Sequence, residues 1–177
     1  MAAWIDWTQA RPFLAECDRV LNSRTYLVEC DPSPQPVTPS NIDEAVWNAI
    51  TAPWFGDALG LAVERADPGE VWDTPYAPPT QRVHAAAMTL PRARRRLEAM
   101  LTATPPFMSP YRHAIQPEQA TEAVASFLSA FDPTPTCFAE VEPQFLQGWG
   151  YLDGFCDGAL AIAADTRLAL LVNNGTD

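Results

Sequence analysis

The chain has no lysine: all eleven of its basic residues are arginine, set against 22 carboxylates. That absence excludes a lysine Schiff base, a catalytic lysine base and the lysine of a phosphate-binding loop. Histidine is nearly missing as well, with only His84 and His113. The first lies in an alanine-rich stretch and the second beside Arg112 among prolines; neither has a nucleophile at a recognised spacing, and no GxSxG elbow occurs. Cys17, Cys30, Cys137 and Cys156 contain no CxxC pair, which with two histidines argues against a structural zinc site. Free buried thiols in a reducing cytoplasm are expected, with a disulfide left open.

Long apolar runs are scarce too. The longest, Ala159 to Val172, is broken by Asp165 and Arg167 and is too short to span a bilayer. The opening MAAWIDWTQARPF lacks the basic start and apolar run of a secretory signal. The expected setting is cytoplasmic, away from membranes. Positive charge is in short supply and unevenly placed. Residues 1–88 carry 12 acids against 5 arginines, residues 89–131 carry 3 against 5, and residues 132–177 carry 7 against 1. A net charge of −11 repels nucleic acid and attracts basic partners, although acidity by itself also serves solubility.

What is present describes a folded object. Hydrophobic residues make up 47% of 177, enough for a single domain spanning 1–177 with a substantial core. Helical spacing of Leu14, Cys17, Val20 and Leu21 predicts a helix over roughly 8–22, in which Pro12 is tolerable only near the first turn. RTYLVEC (24–30) reads as a strand, and DPSPQPVTP (31–39), with four prolines, as an extended connector. Ser40 is the expected N-cap of a helix running to about Ile50, with Asp43 and Glu44 favourable in its first turn.

Residues 53–70 suggest a loop, a short strand near 59–65 and a turn at Asp67-Pro68-Gly69; a further strand is expected at 82–88. Two helices follow, 90–103 with Leu90, Ala93, Leu97, Met100 and Leu101 on one face, and 117–131 with Ala120, Val124, Phe127, Leu128 and Phe131. A rigid loop at 105–117 joins them. A strand at 137–145 and a hairpin over 158–172, turning near Asp165-Thr166, complete the pattern. The implied class is α+β: one antiparallel or mixed sheet packed by about four helices, with a C-terminal β-hairpin.

One stretch looks like a site. GWGYLDGFCDG (148–158) concentrates four of the eight glycines and carries Trp149, Tyr151, Asp153 and Asp157. Its GxGxxxG pattern misses the dinucleotide fingerprint by one residue and is followed by an expected strand rather than a helix. As a calcium loop it places Phe155 where an oxygen ligand belongs, though an irregular site drawing on Glu140 or Glu142 stays open. Glu140 and Glu142, two apart on a strand, could furnish with Asp153 and Asp157 an acid/base pair, or an acidic binding face. The run Arg92–Arg96 reads as a solvated helix face, able to pair with the chain's own acids or with an acidic partner. Trp54, after Pro53, is a further loop aromatic that either plugs a core edge or anchors a partner.

The leading expectation is a non-enzymatic acidic protein that needs no cofactor or metal. It would engage a basic protein partner through Glu140, Glu142, Trp149, Tyr151, Asp153 and Asp157. Immunity or antitoxin-type inhibitors of toxic enzymes and secretion chaperones share this small, acidic, motif-poor profile as a physical class. A small carboxylate-based hydrolase or lyase, with or without a divalent metal, is the alternative. A homo-oligomer joined through the aromatics is a third reading.

Overall fold

A computed structural model describes residues 3–21, 23–69, 75–104, 114–142, 145 and 158–175. These form five helices and a five-stranded antiparallel sheet in an α+β fold. The order along the chain is α1 (Trp7–Leu21), β1 (Ser23–Glu29), α2 (Ile42–Thr51), α3 (Phe55–Ala66) and β2 (Ala85–Met88). It continues with α4 (Leu90–Thr102), α5 (Pro117–Ser129), β3 (Cys137–Val141), β4 (Gly158–Ala164) and β5 (Arg167–Gly175). The sheet order is β1-β5-β4-β3-β2, so among the described residues the first and second strands form its two open edges.

Both faces of the sheet are covered. On one face Leu27, Phe138, Leu160, Ile162 and Leu171 pack against α1, α4 and α5. There Phe13 stacks on Phe127 with ring centroids 4.3 Å apart, and Trp4 meets Phe131 edge-on at 5.1 Å. On the other face Val28, Ala139, Ala161, Leu170 and Val172 pack against α2 and α3. Double burial explains why β4 reads as an unbroken apolar run instead of alternating with polar residues. Its C-terminal hairpin turns at Asp165 and Thr166, with Asp165 at φ 51°.

Local chemistry sets most boundaries. The Asp6 carboxylate accepts the amides of Thr8 and Gln9 and so opens α1. Pro12 sits past the first turn of that helix, on an exposed side. Thr89 caps α4, its hydroxyl accepting the Arg92 amide, and Ala103 closes the helix in the left-handed region at φ 48°.

Several expectations are corrected. Residues 55–66 form a helix, not a loop followed by a strand at 59–65. Phe55, Leu59, Ala62 and Val63 are its buried side chains, a helical spacing masked by Gly56 and Gly60. Gly56 has a packing reason, since a Cβ there would lie 3.2 Å from the Cβ of Tyr76. With α3 the described residues hold five helices, in keeping with the about four expected. Ser40 does not cap α2: the cap position is Asn41, whose carboxamide is spent on the Thr38 amide and the Pro36 carbonyl. Strand β2 starts at Ala85, three residues later than expected, and β3 ends at Val141. Leu90, expected on the apolar face of α4, is exposed.

Candidate functional site

Of the six residues expected to bind a partner, Glu140 and Glu142 lie among the described residues; Trp149, Tyr151, Asp153 and Asp157 lie outside them. The two glutamates do not converge. Glu140, on β3, faces α4, where Arg96 and Arg92 approach it at 3.1 and 3.7 Å. The Arg96 side chain is only 13% exposed. Burial lowers its pKa, the Glu140 charge opposes that shift and Arg92 adds to it. Part of the arginine run is thus folded down onto the molecule's own carboxylate, while Arg94 and Arg95 stay exposed.

Glu142, just past the strand, turns the other way. Its Oε2 accepts the His84 amide at 2.9 Å and its own amide donates to the His84 carbonyl at 3.0 Å. This clamp extends the β2–β3 pairing by one residue and leaves Glu142 exposed.

Beside it runs a charged strip at the N-terminus of α2. Arg82 reaches Asp43 at 2.7 Å and Glu44 at 3.2 Å, with its guanidinium 5.1 Å from the centre of the Trp47 ring. Asp43 also accepts the Ala85 amide at 2.6 Å, and His84 Nδ1 stands 3.7 Å from it. Burial works to raise the Asp43 carboxyl. The Ala85 amide, the Arg82 hydrogen bond and the charges of Arg82 and His84 outweigh it, and the group stays below the ordinary aspartate value.

From Glu44 the strip continues into a recess of about 170 Å³. Asp31 and Gln35 stand on one side, Glu44 and Asn48 on the other, with the half-buried Trp54 closing it. The wall carrying Asp31 is the proline-rich connector, which the hairpin turn holds in place. Ser33 donates its amide to the Thr166 carbonyl and Val37 its amide to the Asp165 carbonyl, each at 2.7 Å. Trp54 is positioned by Phe55, which packs in turn on Tyr76 at 4.9 Å; the Tyr76 hydroxyl donates to the Ile50 carbonyl at 2.8 Å. Two carboxylates and an indole thus meet on a stiff frame.

Asp31, Asp43 and Glu44 were not singled out as a site from the sequence. Their signal was there, as acids flanking a proline-rich connector with a loop tryptophan ten residues beyond. Asp43 and Glu44 read equally well as dipole-compensating residues of α2, and only the packing of the connector brings Asp31 across to them.

Cys17, Cys30 and Cys137 are free and buried, and burial pushes each thiol up. No helix among the described residues is long and apolar enough to cross a membrane. Comparison of the chain with protein-family models, with curated proteins and with solved structures finds no match.

Proposed function

We propose that this is a non-enzymatic acidic binding protein that engages a basic protein partner, in the manner of an immunity-type inhibitor of a toxic enzyme or a secretion chaperone. The observation that supports it best is the recess in which Asp31, Glu44 and Trp54 meet, continuous with the strip through Asp43 to Glu142. A concavity with carboxylates at its rim and an aromatic wall suits the arginine or lysine side chain of a partner. The charges steer the encounter and the ring stacks on the cation. Trp54 joins Trp149 and Tyr151 as a candidate anchor, and Asp153 and Asp157 add to the acidity of the chain. Three free thiols favour a reducing compartment such as the cytoplasm for this activity.

The reading is tested by affinity capture from the native cell, with wild type and the triple variant D31N/E44Q/W54A run in parallel. The expected result is a basic protein retained by wild type and lost by the variant. Its association rate should fall about ten-fold or more when salt is raised from about 0.05 to about 0.5 M. Capture of an acidic partner, or a rate indifferent to salt, overturns it. A D153N/D157N variant in the same assay decides whether the glycine stretch shares the docking face.

A further inference from the structure

Helices α1 and α3 lie on opposite faces of the sheet and straddle the open edge of β1. Between them is a cleft of about 150 Å³. It gathers the polar side chains of Arg11, Asp18, Thr25 and Arg65, with Trp7 beside them and an apolar floor that includes Leu27 and Ala62.

Among the described residues, two arginines of this cleft carry no ion pair. Carboxylates outnumber arginines two to one in the chain. Arg19, Arg24, Arg82, Arg92 and Arg96 each have a carboxylate within ion-pair distance. Arg11 and Arg65 have none among the described residues, yet both line the same cavity. Arg65 is not free to wander, because its guanidinium lies 4.2 Å from the centre of the Trp7 ring.

Asp18 presents the opposite anomaly. Its Oδ1 is buried with no hydrogen-bond partner among the described residues. Burial raises the Asp18 carboxyl to about 6, against hydrogen bonds from the Thr25 hydroxyl and amide and the attraction of Arg24, while Asp67 adds to the rise. A buried acceptor left unpaired in a native protein calls for an explanation, and a bound group that donates to it is one.

A simple anion would suit the two guanidiniums but would be repelled by Asp18 once that carboxyl ionises. A simple cation would suit Asp18 but would face the guanidiniums. A molecule carrying both charges, a few ångströms apart, answers both. A cavity of this size takes about six non-hydrogen atoms. We propose that the cleft binds a small amino acid, its carboxylate held by Arg65 and Arg11 and its ammonium by Asp18. This site is separate from the Trp54 recess and does not depend on the basic-partner reading.

The test is titration calorimetry of the full chain with glycine, β-alanine and γ-aminobutyrate, using acetate and methylamine as single-charge controls. Saturable binding of at least one amino acid is expected, with both controls weaker by about ten-fold or more. D18N and R65Q should each weaken it by about ten-fold or more, whereas R94Q, on the exposed side of α4, should leave it unchanged. Lowering the pH from about 7.5 to about 5 should weaken binding to wild type as Asp18 takes up its proton, a readout that needs no variant. No saturable binding of any of the three amino acids means a cleft filled by water alone and overturns the proposal. So does acetate binding as tightly as the amino acids, or affinity unchanged both in D18N and at low pH.

Discussion

An aspartate from a neighbouring helix meets the main chain at each open edge of the sheet, and the two are held in opposite electrical states. At β2, Asp43 from the first turn of α2 accepts the Ala85 amide. At β1, Asp18 from the last turn of α1 lies beside Thr25, whose hydroxyl and amide favour its charged form. Exposed strand edges template pairing with other chains, and a carboxylate seated on an outward amide blunts that tendency. The Asp43 carboxyl lies below its ordinary range. It stands partly exposed at the positive end of a helix dipole, with Arg82 2.7 Å away. Asp18 is half-buried at the negative end of its helix, with its buried Oδ1 unpartnered among the described residues, and its carboxyl rises to about 6. At Asp43 the Ala85 amide and Arg82 outweigh burial; at Asp18 burial outweighs Thr25 and Arg24.

The most disruptive way to probe this contrast is T25V. Thr25 is fully buried, and its hydroxyl accepts the Asn173 carboxamide at 2.8 Å while serving Asp18. The isosteric change removes the hydroxyl from both partners, leaving Asn173 its bond to Ser23 at 2.7 Å, and should cost about 2 kcal/mol in denaturant unfolding. D18N comes next, with the opposite sign. A raised aspartate pKa means that the folded state disfavours the charged form. Stability from this group is present below the unfolded value and is lost as pH rises through about 6. Removing the charge should therefore stabilise the protein by about 1–2 kcal/mol near pH 8 and change little near pH 4.

D43N should give the smallest effect, a loss of about 0.5–1 kcal/mol at neutral pH, because the pair with Arg82 is half exposed. Here the folded pKa is lowered, so the contribution exists above the ordinary aspartate value and fades on acidification. Thermal unfolding of D18N and D43N across pH reads both signs in one experiment. Shifts in the same direction at neutral pH would break the contrast between the edges.

The helices with strong stripes, α1, α4 and α5, were legible because their apolar residues recur at helical spacing beside clear caps or prolines. The hairpin was legible from paired apolar runs around Asp165-Thr166. The helix at 55–66 was missed for a physical reason: two glycines lower its intrinsic propensity, and tertiary contacts with Tyr76 and the sheet supply what propensity does not. The candidate site was less legible than the fold. Glu140 and Glu142 share a strand parity, but one is drawn to arginines under α4 and the other to the amide of His84. No local pattern encodes such a divergence.

The bulk properties of this protein follow from its residues alone. Twice as many carboxylates as arginines make it an acidic particle, and the lack of lysine removes whole classes of chemistry. Apolar periodicity specifies most of the helices and the C-terminal hairpin. Which of its charges are neutralised, which are left open and which are buried follows from tertiary structure. Coulombic and hydrogen-bond partners are chosen by proximity in space, and residues far apart in sequence meet only after the sheet has assembled. Asp31 meets Glu44 across a recess whose wall the hairpin turn pins. Arg65 and Asp18 come to one cleft because α1 and α3 close over the same edge strand.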